Sequence, residues 1–175
     1  MSYAHLFAIC NCFERDGRIL YTHAKKILTR GELITQRCIR GECGERVVLT
    51  NGCFDILHRG HTEMLRSARA LGDCLMVGLN SDQSVRLLNG AGRPVNDQVC
   101  RLPQLAKLEC VSHICVFDEQ SVKNLVAEIK PDVLVKGGDY VPRDVVGREI
   151  VESYGGSIII LPFLAGYSTT GLVGQ

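Results

Sequence analysis

The chain has 175 residues, 46% of them hydrophobic and 22% charged, with twenty basic side chains against nineteen acidic ones and a net charge of +1. That length suits one domain with an appendage, and the composition excludes a disordered chain and a membrane protein. A near-neutral balance also excludes electrostatic capture by nucleic acid or an anionic membrane, which leaves small-molecule substrates as the expected partners.

Nine cysteines make an odd set, and the opening MSYAHLFAICNCF lacks the basic region of a secretory signal, so reduced thiols and a cytoplasmic protein are expected. The same apolar run is too short for a bilayer, which takes roughly 20 residues. His5, Cys10, Cys12 and His23 offer a single CxC without the second paired spacing of a zinc site, so no protein-held metal is expected. Residues 1–23 carry no assigned element.

The first helix signal is in KKILTRGELITQRCIRGE, where Thr29 reads as N-cap and Glu32, three residues on, as its capping-box partner. Residues 1–45 are read as an N-terminal extension and 46–175 as the main domain. From Arg46 onward short β-branched runs alternate with helical stretches. The runs are VVLT from Val47, CLMVGL from Cys74, HICVF from His113, DVLV from Asp132 and SIIIL from Ser157. Nearly continuous apolar strands of this kind belong to a parallel sheet covered on both faces, a doubly wound α/β fold.

Between the first two strands, Met64, Leu65, Ala68 and Leu71 fall at helical spacing, with Gly72 expected as a left-handed stop. Asn89 to Asp97 is dense in turn formers and reads as a loop, followed by a helix toward Glu109 with Pro103 near its start. Ser121 is expected to cap SVKNLVAEIK, whose Val122, Leu125, Val126 and Ile129 form one stripe before Pro131. Pro142 is expected in the first turn of PRDVVGREIVESYGG, with Val145, Val146, Ile150 and Val151 buried.

The chemistry concentrates in TNGCFDILHRGH, Thr50 to His61, which spans the end of the first strand and the start of the next helix. Open α/β sheets bind ligands at this carboxyl edge. His58 and His61 face one side of a helix start, where free N–H groups add positive potential, and Gly60 lets a phosphate approach the backbone between them. Such donors suit charge building on oxygens around phosphorus. Helix capping and metal ligation are the alternatives for HxxH, although the HExxH signature is absent. Lys136, with Gly137 and Gly138, follows the fourth strand at the same edge, as a ligand contact or a tight turn. Ser168, Thr169 and Thr170 follow the fifth, where phosphate binding and helix capping both account for the hydroxyls.

HRGH resembles the HxGH signature of the nucleotidylyltransferase superfamily, and TNGCFDILHRGH with SD, GRPVN, LVKGGDY and STT in order is similar to its D-glycero-β-D-manno-heptose 1-phosphate adenylyltransferase family. The similarity runs from about Lys26 to the C-terminus. It implies a Rossmann-like, doubly wound, five-stranded parallel sheet in the order 3-2-1-4-5, and a nucleotidylyltransferase domain over 46–175. It also implies attack by a sugar 1-phosphate oxygen on the α-phosphorus of ATP, with pyrophosphate leaving.

By that resemblance His58, His61 and Lys136 are catalytic. Asn51, Gly52, Cys53, Phe54, Asp55, Gly60, Arg101, Gly137, Gly138, Asp139, Ser168, Thr169 and Thr170 bind nucleotide together with them, and Asn80, Asp82, Arg93 and Tyr140 border the sugar phosphate. Asp55 orients the loop through backbone amides or lies near magnesium. Arg101 neutralises triphosphate charge, and magnesium comes with ATP, bound chiefly through its phosphates.

The resemblance further implies a homodimer. Bifunctional relatives carry a sugar kinase ahead of this domain, and residues 1–45 are too few for one, so a stand-alone transferase is expected. The chain departs from the family pattern at Asn89, where lysine is usual, with Arg86 or Arg93 as replacement cations, and at Ser112 and Pro103. A glycerol-3-phosphate cytidylyltransferase, a heptose-phosphate guanylyltransferase and a non-catalytic nucleotide-binding module are the competing readings.

Overall fold

A computed structural model describes residues 23–138 and 140–162. Helix α1 (Arg30–Glu42) lies within the described residues, capped as its sequence dictates: the Thr29 hydroxyl accepts from the Glu32 amide while the Glu32 carboxylate takes the Thr29 amide at 2.7 Å. There follow β1 (Val47–Gly52), α2 (Arg59–Arg69), β2 (Cys74–Asn80), α3 (Asp82–Asn89), α4 (Gln98–Ala106), β3 (His113–Phe117), α5 (Lys123–Ile129), β4 (Val133–Gly137), α6 (Arg148–Ser153) and β5 (Ser157–Leu161).

All five strands pair in parallel in the order β3-β2-β1-β4-β5, the expected fold. The central strands are buried on both faces because alternate residues feed opposite layers. Val48, Leu75 and Val77 meet Leu65 and Ala68 of α2 and Leu102 and Leu105 of α4 in one cluster. Leu49, Met76 and Leu134 meet Leu33 of α1, Leu125 and Val126 of α5 and Val151 of α6 in the other. Each fully buried aliphatic side chain adds about 1.5–3 kcal/mol. Helix α1 therefore lies on the sheet, and Ile27 just before it bridges to Ile114.

Four local expectations change. Gly72 is not left-handed, since α2 ends at Ala70 in right-handed geometry; a side chain at Gly72 would instead strike the Arg46 carbonyl at 2.6 Å. Glycine is needed there for close approach. The segment from Pro142 is not one helix: a 3₁₀ turn over Pro142–Asp144 is separated from α6 by Gly147 at φ 93°, and Val146 is exposed. The Ser121 hydroxyl accepts from Lys123, 3.3 Å away, but α5 starts behind Val122. Pro103 sits mid-helix in α4.

Helix α3 was not among the expected elements; Ser81 caps it by accepting from the Ser84 amide at 3.2 Å. The seven cysteines among the described residues are free thiols, and no helix there is long and apolar enough to cross a membrane.

Candidate active site

Strand β1 delivers Asn51 and Gly52 to the carboxyl edge of the sheet, and the chain then turns through Cys53–Leu57 into α2. Phe54 sits in this turn at φ 45°, a left-handed conformation costly for a residue with a Cβ, and its ring is buried. That ring meets His61 edge-on, with centroids 5.3 Å apart and planes at 67°. His61 in turn stacks on His58, with centroids 3.9 Å apart and planes at 24°. The two histidines are thus held as one unit.

His58 occupies the N-cap position of α2, yet its ring makes no capping bond. Capping therefore does not account for it. Among the described residues the buried Nδ1 atoms of both rings have no hydrogen-bond partner. Buried polar atoms are rarely left so. Burial, followed by the neighbouring His58, pushes His61 down to about 4, and burial lowers His58 as well. Burial thus outweighs the Ile56 backbone, which favours the charged ring, and His61 is neutral at pH 7.

From β4, adjacent to β1, Lys136 reaches across to donate to the Asn51 side-chain oxygen, with its ammonium 5.9 Å from the centroid of the exposed Tyr140 ring. Burial lowers Lys136 to about 8, against a small opposing effect from Cys53. Gly138 follows at φ 112° and donates to the Leu161 carbonyl at 2.9 Å, so the chain turns here in a form only glycine adopts freely.

Asp55, on the same turn as Phe54, is buried and fastens the loop that follows α3. One carboxylate oxygen accepts from the Asn96 amide at 2.9 Å and the other from the Arg93 guanidinium at 2.9 Å, while the Asn96 side chain donates to the Asp55 carbonyl at 2.7 Å. Burial pushes its pKa upward, but the Asn96 and Val95 amides and Arg93 more than offset this and hold it below the ordinary carboxylate value. Arg93 is thereby committed to Asp55. Arg86 is exposed, and Asn89 reaches the Cys53 sulfur at 3.7 Å.

Asn80, Asp82 and Arg101 lie behind the turn. Asn80 is 3% exposed and donates to the Ser84 hydroxyl at 2.9 Å. Asp82 accepts from Arg101 at 2.7 Å and from the Gln98 amide at 2.8 Å, and Arg101 donates also to the Cys53 carbonyl. The structure thus gathers Asn51 to Asp55, His58, Gly60, His61, Lys136 and Arg93 about one sheet edge, with Arg101, Asp82 and Asn80 as its backing. Asp139, Ser168, Thr169 and Thr170 lie outside the described residues.

Sequence reasoning missed Asn96 and Gln98, which close the two brackets. Asn96 ends the GRPVN block and so carried a signal; Gln98 carried none, since only the packing of α3 beside α4 brings it to Asp82.

Comparison with known proteins fits this geometry. The chain is 51% identical to the bifunctional protein HldE of Trichlorobacter lovleyi over 130 residues, 74% of this chain and 26% of that protein. It is 53% identical to the bifunctional protein HldE of Rhodopseudomonas palustris over 132 residues, 75% of this chain and 27% of that one. The chain spans about a quarter of the length of these curated relatives.

Among solved structures it is similar to a lipopolysaccharide core biosynthesis protein from Thermoplasma volcanium, with TM-score 0.55 and 30% identity over 69% of this chain and 98% of that one. A pantoate-beta-alanine ligase from Francisella tularensis, at TM-score 0.58 and 15% identity over 83% of this chain and 69% of that one, shares the fold. A model of the cytidylyltransferase-like family matches residues 49–163, from β1 through the stacked histidines and beyond β5, and the chain belongs to that family of nucleotidyltransferases.

Proposed function

We propose that the protein transfers AMP from ATP to D-glycero-β-D-manno-heptose 1-phosphate, releasing pyrophosphate. The observation that carries this reading is the pair of stacked imidazoles at the β1–α2 turn, whose buried Nδ1 atoms lack partners among the described residues. A sugar phosphate is already largely deprotonated at pH 7, with a second pKa near 6, so its oxygen attacks without a general base. The new O–P bond forms at the α-phosphorus as the bond to the β-phosphate oxygen breaks, and pyrophosphate carries away the electron pair. No proton has to move. What the site supplies is stabilisation of charge growing on the oxygens around phosphorus, and N–H donors fixed in advance do this without reorganisation.

In this reading His58 and His61 donate to those oxygens, and Lys136, poised by Asn51, adds a positive charge. Gly52, Gly60, Gly137 and Gly138 keep the backbone open to nucleotide, and Tyr140 borders the substrates. Magnesium arrives as part of the ATP substrate. Both oxygens of Asp55, the buried carboxylate of the turn, accept from Asn96 and Arg93, so in this reading Asp55 orients the loop. Ser168, Thr169, Thr170 and Asp139 belong to the same reading through the sequence resemblance alone.

The family match and the HldE relatives support the reaction class, and the order of sequence blocks supports the sugar. A cytoplasmic location and a homodimer go with it, the latter checked by sedimentation equilibrium. The deciding experiment is pyrophosphate release measured for ATP, CTP and GTP, each against heptose 1-phosphate and glycerol 3-phosphate with magnesium. ATP with heptose 1-phosphate is the expected productive pair. Turnover only with CTP or GTP moves the assignment to another base, and nucleotide binding without any turnover makes the chain a binding module.

A further inference from the structure

Among the described residues Arg101 is the bulkiest side chain that the fold buries completely, with its side chain 0% exposed. A guanidinium cannot shed its charge in a protein, so it is buried only where partners replace water. It has two. One terminal nitrogen donates to Asp82 at 2.7 Å, and Asp82 is itself locked to Gln98 by reciprocal bonds of 2.8 and 3.1 Å, which join the first turns of α3 and α4. The other donates to the carbonyl of Cys53, the residue before the left-handed Phe54. From there contact is continuous: Phe54 edges onto His61, and His61 stacks on His58.

We propose that Arg101 is a positioning residue for nucleotidyl transfer, its buried guanidinium gripping the Cys53 carbonyl so that the Phe54 turn holds His61 in place. The proposal rests on the transfer reading above and assigns Arg101 a task other than meeting triphosphate. Each terminal nitrogen makes one bond, the buried Nε has no partner among the described residues, and the side chain is fully covered, so reaching a phosphate would draw it away from Asp82 and the Cys53 carbonyl. Simple space-filling would be met more cheaply by an apolar side chain, because a buried ion pair seldom repays its desolvation. What a fork of donors adds is a fixed angle between a carboxylate and one backbone carbonyl.

The test uses Arg101→Lys, which keeps the charge but cannot span both partners, and Asp82→Asn, which loosens the anchor. Three quantities are measured: kcat and KM for ATP with heptose 1-phosphate, the thermal midpoint, and the NMR titration of the His58 and His61 rings in nucleotide-free protein. In Arg101→Lys, kcat should fall about 30-fold or more while the KM for ATP stays within about threefold, as expected when a catalytic group is misplaced. The His61 titration should move up from about 4 toward the ordinary histidine range as the ring gains solvent. Asp82→Asn should shift all three in the same direction by less.

A tenfold or greater rise in KM with kcat and the His61 titration unchanged would make Arg101 a phosphate ligand and overturn the proposal. So would a lowered thermal midpoint alone. If Arg101→Lys does not fold, Asp82→Asn decides by the same measures. Should the unaltered protein turn over no triphosphate, the transfer reading fails by itself, and the ring titration still reports whether Arg101 governs His61.

Discussion

At the scale of single residues, the proposed transfer rests on two stacked rings, and burial pushes His61 down to about 4. His61→Ala removes one fixed donor and should lower kcat by about two to three orders of magnitude, the usual cost of losing a preorganised donor to a transition-state oxygen. Turnover near that of the parent in the folded variant would end the role. Since burial places His61 at about 4 in the folded state against an ordinary 6.5, the unfolded chain takes up its proton first. The stability tied to this ring is present above pH 6.5 and is lost as pH falls from there toward 4.

Lys136 gives the opposite limb. Its pKa of about 8 means that it is charged at neutral pH and loses the charge as pH rises through 8. If that charge assists transfer, kcat/KM should decline above pH 8, about tenfold per unit, and Lys136→Met should be slower at neutral pH and lack this limb. A profile from pH 6 to 10 on both proteins checks it. At this scale HRGH and the KGG of residues 136–138 were legible in the sequence because each comes at or soon after the end of a strand, at one sheet edge. The engagement of Arg93 with Asp55 was not, because a loop side chain reaches whichever partner the fold presents.

At the scale of elements, continuous apolar runs marked the strands. VVLT, CLMVGL and HICVF were readable because buried parallel strands leave little but apolar residues, and SIIIL, half-buried at the sheet edge, keeps the same composition. The α1 cap was readable because Thr29 and Glu32 answer each other locally. Gly72 was misread as a helix stop, since its reason lies in Arg46, 26 positions away in sequence but in van der Waals contact. A Cβ there would lie 2.6 Å from the Arg46 oxygen and 2.8 Å from a Val48 methyl. Gly72→Ala should therefore cost about 1–3 kcal/mol of stability by urea unfolding, the range for overpacking. A left-handed stop would also disfavour alanine, but Gly72→Asn discriminates: asparagine tolerates that conformation and still collides with Arg46.

At the scale of the whole molecule, the segment before β1 is part of what keeps the sheet dry. Leu33 of α1 is fully buried against the second cluster, and Arg30 ties α1 to Glu119 and Glu128 at 2.5 and 2.6 Å. A chain beginning at Arg46 would uncover that face. Losing one such leucine alone costs about 2–5 kcal/mol, a large share of a domain's stability. We expect this shortened chain to bind a hydrophobic dye and to unfold without a cooperative transition. Cooperative unfolding at the parent midpoint would show that α1 is dispensable.

The sequence alone determined the five parallel strands and the pair of histidines, because continuous apolar runs and a three-residue spacing are local and survive without knowledge of neighbours. Only the tertiary structure decided what the polar residues between them do. Asp55, Arg93 and Asn96 close one bracket, and Asp82, Gln98 and Arg101 close another, across gaps of up to 41 residues. Buried charge must find a partner, and which partner lies within reach is set by how helices and loops pack over the sheet.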